Sequence, residues 1–314
     1  MMALSLLAGF GLLLLGGELL VTGSVGIAHR LRISKVVIGL TLVAFATSAP
    51  ELIVSVVAAL KGKSDIALGN VIGSNIANIG LILGSTALLF KMSALRTTYR
   101  NDWIFLLVAN AMLGVFLYFG GISAVQGVIL VTLLIGYNIF KIVGARKESL
   151  VKPMDDLDAD SMAIGKGVLF LVLGAAGLKF GAQFFVNGIS AMALDWGLSE
   201  RFVSVTIVAF GTSVPELAAS LMAAKKGESD IAIGNIIGSN IFNILSVLGI
   251  TAIVKPIIME DQALFTFDFP YSILLTFLII PLMGLFKADR LNRLEGAILL
   301  SLYILFILCL IFRG

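Results

Sequence analysis

The chain contains almost no histidine or cysteine, and this excludes several kinds of functional site. Cys309 is the single cysteine, so neither an intrachain disulfide nor a cysteine-only metal site can form. His29 is the single histidine, which excludes histidine metal clusters and catalysis by serine–histidine or cysteine–histidine pairs. Any site must therefore be sought among the oxygen-bearing side chains.

Charged residues are also scarce. They make up 13% of the 314 residues, whereas soluble domains carry about 25%. The mean hydropathy is +1.07, which is typical of a protein that dissolves in a lipid bilayer rather than in water. The formal net charge of +3 gives no support for a nucleic-acid partner.

The apolar residues fall into long runs, and a membrane-spanning helix needs roughly 20 such residues. Because the apolar N-terminus lacks a basic segment, we expect a retained helix there rather than a cleaved signal. The sequence predicts an all-α polytopic membrane protein of ten transmembrane helices. The predicted spans are residues 2–28, 36–60, 65–90, 102–119, 122–144, 163–190, 201–224, 230–254, 265–286 and 294–312.

The chain repeats itself at a shift of 165 residues. Residues 36–89 align without gaps to residues 201–254, and 31 of these 54 pairs are identical. Each repeat holds five predicted spans, and an odd number means that the second copy enters the membrane upside down. Two inverted five-helix repeats are typical of secondary transporters, whose substrate site lies near the midplane where the halves meet. We predict a first repeat at 1–144, a linker at 145–161 and a second repeat at 162–314.

Lysine and arginine are unevenly distributed between the two predicted faces. Sixteen of them lie in the loops that follow odd-numbered spans or in the span ends next to these loops, and five lie on the opposite side. Basic loops remain in the cytoplasm. We therefore expect a multi-pass protein of the cell membrane whose central linker is cytoplasmic and whose termini are both extracellular.

One octapeptide occurs in both repeats. Residues 44–51 read AFATSAPE and residues 209–216 read AFGTSVPE, so Glu51 and Glu216 each follow a proline inside an apolar span. Ionisable groups at that depth are costly and usually mark function. The alternative to a functional role is a purely structural one, in which each carboxyl group is protonated and hydrogen-bonded in the protein core. Two symmetry-related acids favour a single cation site shared by the repeats.

Neutral oxygen donors accompany each acid. A proline inside a helix frees a backbone carbonyl four residues earlier, here that of Ala46 or Gly211. Hydroxyl groups lie in the same turn of each copy, on Thr47, Ser48, Thr212 and Ser213. Hard oxygen ligands of this kind suit Ca²⁺ or Na⁺ rather than soft metals.

The following span of each repeat adds amides, hydroxyls and glycines. Asn70, Ser74 and Asn78 have the spacing of one helix face, and Asn235, Ser239 and Asn243 repeat it. The glycines of the same spans, at Gly69, Gly73, Gly234 and Gly238, predict close backbone approach between helices.

Together these motifs resemble the two alpha-repeats of the calcium/cation antiporter superfamily, most closely the prokaryotic sodium/calcium exchangers. The resemblance is carried by TSAPE at 47–51 with GSNIAN at 73–78, and by GTSVPE at 211–216 with GSNIFN at 238–243. It implies alternating access around four central ion subsites. It also implies that the first and sixth helices slide together across the remaining bundle.

The resemblance further implies a ligand set. Glu51 and Glu216 would bind Ca²⁺ together with the backbone oxygens of Thr47 and Thr212. The peripheral sodium positions would use the Ala44 carbonyl, Ser48 and Ser74 in one half, and the Ala209 carbonyl, Ser213 and Ser239 in the other. Asn78 and Asn243 would line the middle.

Two residues depart from the family pattern. Ala46 replaces a common glycine, and its extra bulk would alter access to one peripheral sodium position. Asn243 stands where potassium-dependent relatives and some prokaryotic members carry aspartate, and its absence argues against potassium co-transport.

The sequence therefore favours an antiporter that exchanges Na⁺ for Ca²⁺, works as a monomer and needs no cofactor. Three alternatives remain open: an H⁺/Ca²⁺ antiporter in which the acids carry protons, a channel, and an intramembrane enzyme that uses Ser48 or Glu51. The duplicated serine hydroxyls favour sodium, because proton carriage needs no additional oxygens. The enzyme lacks a base partner for its serine.

Overall fold

The computed structural model describes residues 2–93, 96–151, 162–196, 209–285 and 290–313. Eight of the described helices are long and apolar enough to cross a membrane. A ninth candidate consists of Lys35–Thr47 and Ala49–Leu60, interrupted at Ser48. The prediction of a helical membrane protein is confirmed, whereas residues 201–208 of the predicted seventh span lie outside the described residues.

The elements of the first repeat follow one another closely. Its helices are α1 (Met2–Leu31), α2 (Lys35–Ile38), α3 (Ala44–Thr47), α4 (Ala49–Leu60), α5 (Ser64–Ile76), α6 (Gly84–Leu89), α7 (Arg96–Tyr118) and α8 (Ala124–Val151). Wider π-helical turns occupy Gly39–Val43 and Ala77–Leu83, and short strands occupy Met92–Ser93 (β1) and Gly121–Ile122 (β2). Residues 145–151 of the predicted linker belong to α8, and residues 152–161 lie outside the described residues.

The second repeat has a similar order of elements. Its described helices are α9 (Ile164–Asp195), α10 (Ala209–Gly211), α11 (Val214–Lys225), α12 (Ser229–Phe242), α13 (Gly249–Val254), α14 (Phe269–Leu285) and α15 (Arg293–Arg313). The π-helical turns are Asn243–Leu248 and Leu264–Asp268, and the strands are Ile257–Ile258 (β3) and Arg290–Leu291 (β4).

The chain forms two compact units, and neither coincides with a single repeat. Unit 1 comprises residues 1–50 and 140–235, and unit 2 comprises residues 51–139 and 236–314. The division falls between Pro50 and Glu51 and between Asn235 and Ile236. Each unit therefore contains helices from both repeats.

Unit 1 is built on a long antiparallel contact between α1 and α9. Glycines spaced by seven residues face one another in the pairs Gly9–Gly181, Gly16–Gly174 and Gly23–Gly167. A Cβ atom added at Gly16 would lie 2.6 Å from the backbone nitrogen of Leu178, and one at Gly174 would lie 2.5 Å from that of Leu20. The two helices thus touch backbone to backbone, as small residues permit in membranes.

Two ion pairs also lie within unit 1. Nζ of Lys226, just after α11, lies 2.5 Å from Oε1 of Glu18 in α1. Lys35 lies 2.8 Å from Glu228. Both pairs connect a residue of the first repeat with a residue of the second.

In unit 2, too, helices of the first repeat pack against helices of the second. Gly296 of α15 packs on Gly84 of α6, and Gly127 of α8 packs on Gly249 of α13, with an added Cβ meeting the partner's carbonyl oxygen at 2.7 and 2.6 Å. Gly84 and Gly249 are equivalent at the 165-residue shift. The strands pair in the same manner, β1 with β4 and β2 with β3, both antiparallel.

The close approach predicted for the glycines of the third and eighth spans is confirmed at Gly234. A Cβ added there would lie 2.8 Å from the Val36 carbonyl oxygen and 3.3 Å from the Cα of Gly39. Gly69 is equivalent to Gly234, but the equivalents of Val36 and Gly39 lie at residues 201 and 204, outside the described residues. Among the described residues, a Cβ added at Gly73 meets no atom within 4 Å and one at Gly69 meets only the Leu264 side chain at 3.7 Å, so close backbone approach is not found at these two glycines.

Candidate ion-binding site

Both copies of the octapeptide break their helix at a serine. Ser48 follows α3 with φ −88° and ψ 6°, and Ser213 precedes α11 with φ −90° and ψ 0°. This bridge region of backbone space is sparsely populated and recurs at functional sites. Pro50 and Pro215 then fall in the first turn of the next helix, where the missing N–H costs no intrahelical bond. The prolines start new helices rather than kinking continuous ones.

Each acid consequently lies at the start of a helix. Glu51 is in the first turn of α4 and Glu216 in the first turn of α11. Their exposed fractions are 0% and 1%. The positive end of a helix dipole favours a carboxylate there, but burial of an ionised group without a counter-charge remains costly. A cation is the partner that such an arrangement accommodates.

In unit 1, the two repeats meet through a serine and an acid. The hydroxyl of Ser48 donates a hydrogen bond to Oε1 of Glu216 at 3.0 Å, and both side chains are buried. The other carboxylate oxygen, Oε2, accepts no hydrogen bond from the described residues. Because the hydroxyl uses its hydrogen on the carboxylate, its lone pairs remain available to a cation.

A second polar contact in unit 1 links Thr47 to the eighth predicted span. Oγ1 of Thr47 donates to Oδ1 of Asn235 at 3.2 Å, and Nδ2 of Asn235 donates to Oγ of Ser220 at 3.1 Å. All three side chains are fully buried. The carbonyl of Ala44, an expected sodium ligand, accepts a hydrogen bond from Ser48 N at 3.0 Å and lies 3.4 Å from Thr47 Oγ1, whose single hydrogen points to the nearer Asn235 Oδ1.

The remaining expected ligands of unit 1 lie beside the second serine break. Ser213 is buried. Oγ1 of Thr212 is buried and has no hydrogen-bond partner among the described residues. Ala209 begins the short helix α10. The structure thus brings the second copy of the motif into the same local form as the first.

In unit 2, an amide fixes the turn that carries Glu51. Nδ2 of Asn70 donates to the backbone carbonyl of Glu51 at 3.2 Å and to Oγ of Ser55 at 2.9 Å. Ser55 follows Glu51 by four residues, as Ser220 follows Glu216. The asparagine–serine contact therefore recurs in both units and holds the helix behind each acid.

Four asparagines form a reciprocal network in unit 2. Nδ2 of Asn78 donates to Oδ1 of Asn240 at 2.9 Å, and Nδ2 of Asn243 donates to Oδ1 of Asn75 at 3.1 Å. All four are at most 2% exposed. The carbonyl oxygens of Asn78 and Asn243 accept no hydrogen bond from the described residues. Each bond joins one repeat to the other.

The local backbone explains why this network forms. A π-helical turn begins at Ala77 in the first repeat and at Asn243 in the second, and such turns often occur at functional sites. The spacing of Asn70, Ser74 and Asn78 places them on one face only if the α-helix is regular throughout. The regular helix ends at Ile76, before Asn78. Ser74 and its equivalent Ser239 are buried in α5 and α12.

The ligand candidates are mostly neutral. Across the described ranges, histidine, cysteine, aspartate and glutamate form no cluster of three that could hold a metal ion. Each copy of the motif contributes one carboxylate among hydroxyl and amide oxygens. Such a set can bind a hard cation without the dense negative charge of a permanent Ca²⁺ site.

Sequence reasoning missed four residues that organise these contacts, although a signal was present. Asn75, Asn240, Ser55 and Ser220 are polar, lie in apolar spans and are identical in both repeats. Their duplication marks them in the same way as it marks the two acids.

Known proteins resemble this chain over nearly its whole length. The family described as sodium/calcium exchanger protein matches residues 1–143 and 166–312. Sodium/calcium exchanger MaX1 of Methanosarcina acetivorans is 32% identical and covers 98% of both chains. The inner membrane protein YrbG of Escherichia coli is 35% identical over 80% of this chain and 79% of its own. A solved structure of the sodium-calcium exchanger NCX_Mj superposes with a TM-score of 0.83 at 30% identity, covering 98% of this chain and 97% of the other.

Proposed function

Because the chain belongs to the sodium/calcium exchanger family, we propose that it exchanges Na⁺ for Ca²⁺ by alternating access. The family is one of membrane transporters, and the chain is a cation/Ca²⁺ antiporter rather than an enzyme. The observation that carries the sodium-coupled proposal is the buried contact between Ser48 and Glu216. It combines a carboxylate with a neutral hydroxyl oxygen, and a proton carrier would need only the carboxylate.

The proposal assigns both acids to the transported Ca²⁺. The duplicated motif gives Glu51 and Glu216 equivalent places in the two repeats, and two carboxylates neutralise one Ca²⁺ or two Na⁺. The remaining proposed ligands are the backbone or side-chain oxygens of Ala44, Thr47, Ser48, Ser74, Asn78, Ala209, Thr212, Ser213, Ser239 and Asn243. A third Na⁺ would leave one extra positive charge, so exchange would respond to voltage by about 2.3 kcal/mol per 100 mV.

We also propose the topology of ten helices in two inverted repeats. The antiparallel glycine register of α1 and α9 supports it, because these are the first helices of the two repeats. The strand pairs support it as well. β1 and β4 follow the third and ninth spans, whereas β2 and β3 follow the fourth and eighth, as expected when odd loops share one face. Both termini would then be extracellular, in the plasma membrane.

The proposed function is tested by the uptake of radioactive Ca²⁺ into liposomes that contain the purified protein. With Na⁺ inside and none outside, we expect uptake to depend on the sodium gradient. A proton gradient without Na⁺ should give only background uptake. If uptake ignores sodium and follows the proton gradient, the chain is an H⁺/Ca²⁺ antiporter instead.

Ser48→Ala should weaken sodium more than calcium. The substitution removes the hydroxyl that bonds to Glu216 and that the proposal assigns to a sodium position. We expect the internal Na⁺ concentration for half-maximal Ca²⁺ uptake to rise about tenfold. Ser5→Ala is the control, because the described hydrogen bond of its hydroxyl is to the Phe184 carbonyl of α9, at a solvent-accessible position outside the motif. Equal sodium dependence of the two variants would contradict the assignment.

A further inference from the structure

The four asparagines of unit 2 use their hydrogen-bonding groups in an ordered way. An asparagine side chain has one acceptor oxygen and an NH₂ group that donates. Asn78 donates to Asn240 Oδ1 and Asn243 donates to Asn75 Oδ1. In each donor residue, the carbonyl oxygen is buried and accepts nothing from the described residues.

The accepting asparagines decide this orientation. Asn75 and Asn240 donate to each other's backbone carbonyls, with Nδ2 to O distances of 3.5 and 3.3 Å. Their NH₂ groups are therefore committed to the backbone, and their Oδ1 atoms can only accept. Asn243 and Asn78 must present NH₂ to these oxygens, which turns their own carbonyl oxygens the other way.

We propose that Asn75 and Asn240 are positioning residues that make Asn243 and Asn78 ligands of the transported cation. An amide oxygen is a neutral hard ligand for Ca²⁺ or Na⁺, whereas an NH₂ group presented to the ion would repel it. The orientation of each amide therefore decides between attraction and repulsion. The proposal deepens the proposed function, since it concerns the same ions.

The network also accounts for asparagine at position 243. The contact with Oδ1 of Asn75 requires a donor, and an ionised aspartate has none. A carboxylate there would place two acceptor oxygens in contact. The departure from potassium-dependent relatives thus fits the neighbour that Asn243 bonds.

Double-mutant cycles test the proposal, since a residue that acts through another loses its effect when the other is absent. Asn75→Ala should raise the Ca²⁺ concentration for half-saturation about tenfold, as loss of a partner that orients a metal ligand does. In an Asn243→Ala background it should add less than about twofold. In an Asn78→Ala background its effect should persist. For Asn240→Ala the backgrounds are reversed: its effect should nearly vanish in the Asn78→Ala background and persist in the Asn243→Ala background.

Half-saturation is measured from the melting temperature of the detergent-purified protein at increasing Ca²⁺ concentrations. Asn110→Ala is the matched control, because Asn110 is a buried asparagine of α7 whose side-chain hydrogen bond, among the described residues, is to the Leu106 carbonyl of its own helix. It should leave the Ca²⁺ half-saturation unchanged. Asn75→Asp keeps the acceptor oxygen for Asn243. The Ca²⁺ half-saturation of this variant should therefore lie nearer to the wild-type value than the half-saturation of Asn75→Ala does.

Several results would overturn the proposal. One is an Asn75→Ala variant that melts earlier without ligand but keeps its Ca²⁺ half-saturation, because that is a purely structural role. Another is an equal effect of Asn75→Ala with and without Asn243. A wild type that binds Ca²⁺ but shows no sodium-driven uptake rejects only the exchange function, and the cycles still report on positioning. A wild type that binds no Ca²⁺ rejects both.

Discussion

The Glu216→Gln variant should lose Ca²⁺ uptake to background. Glutamine has the size of glutamate and keeps an oxygen that can accept from Ser48, so the local geometry is retained while the negative charge is lost. Removing one partner of a buried charge pair costs about 3 kcal/mol or more, which corresponds to roughly a 100-fold loss of Ca²⁺ affinity. The measurement is sodium-driven uptake of radioactive Ca²⁺ into liposomes. Glu51→Gln should have an effect of the same size, because the proposal gives both acids equal roles.

Glu18→Gln is the matched control for both variants. Glu18 lies in a predicted span like the other two acids, but it pairs with Lys226, and its equivalent in the second repeat is already a glutamine, Gln183. We expect uptake within about twofold of the wild type, since an exposed ion pair contributes little. If both acid variants retain wild-type uptake while Glu18→Gln loses it, the assignment of the site is wrong.

The second large effect is expected at the contact between α1 and α9. Gly16→Val places side-chain carbons where the backbone of Leu178 and Gly174 already lies, at 2.6 and 2.9 Å from the new Cβ. Backbone atoms cannot move aside as a flexible side chain can, so the helices must separate. We expect a loss of about 3 kcal/mol of stability and a melting temperature lower by ~5 °C or more, measured on the purified protein. Uptake should fall with the amount of folded protein.

Gly11→Val tests the same substitution on the same helix without this contact. A Cβ added at Gly11 meets no heavy atom within 4 Å among the described residues. The melting temperature should remain within about 1 °C of the wild type. Equal losses for the two variants would mean that valine disturbs α1 itself rather than its packing against α9.

The membrane helices could be predicted closely from the sequence because hydropathy alone decides which segments enter a bilayer. The span predicted at 65–90 corresponds to Ser64–Leu89, and the span at 230–254 to Ser229–Val254. The prolines were expected inside helices, but each lies in the first turn of a helix that begins after a break at Ser48 or Ser213. Proline tolerates the first turn of a helix, so its position shows that a helix is interrupted nearby without fixing the residue.

The polar contacts were harder to foresee. Spacing by four residues assumes a continuous α-helix, and the π-helical turn at Ala77 changes which side chains can meet. Asn75 therefore bonds to Asn243, although it lies off the face that includes Asn70 and Ser74. The glycine contacts of α1 and α9 were missed for another reason. Their seven-residue spacing differs from the four-residue spacing by which close-packed membrane helices are usually recognised.

The glycine register of α1 and α9 also bears on the ancestry of the chain. Gly9 and Gly16 become Gly174 and Gly181 at the 165-residue shift, so the shift turns the pair Gly9–Gly181 into the pair Gly174–Gly16, and at these two positions each helix presents to its neighbour the surface that the neighbour presents to it. A self-complementary surface of this kind is what a two-fold homodimer requires. Two separate copies of one ancestral half, inserted in opposite orientations, could have made these contacts before gene fusion joined them. The interface imposes the same steric limit on both halves, since a Cβ at Gly16 or at Gly174 would meet the backbone of the partner helix at 2.6 or 2.5 Å.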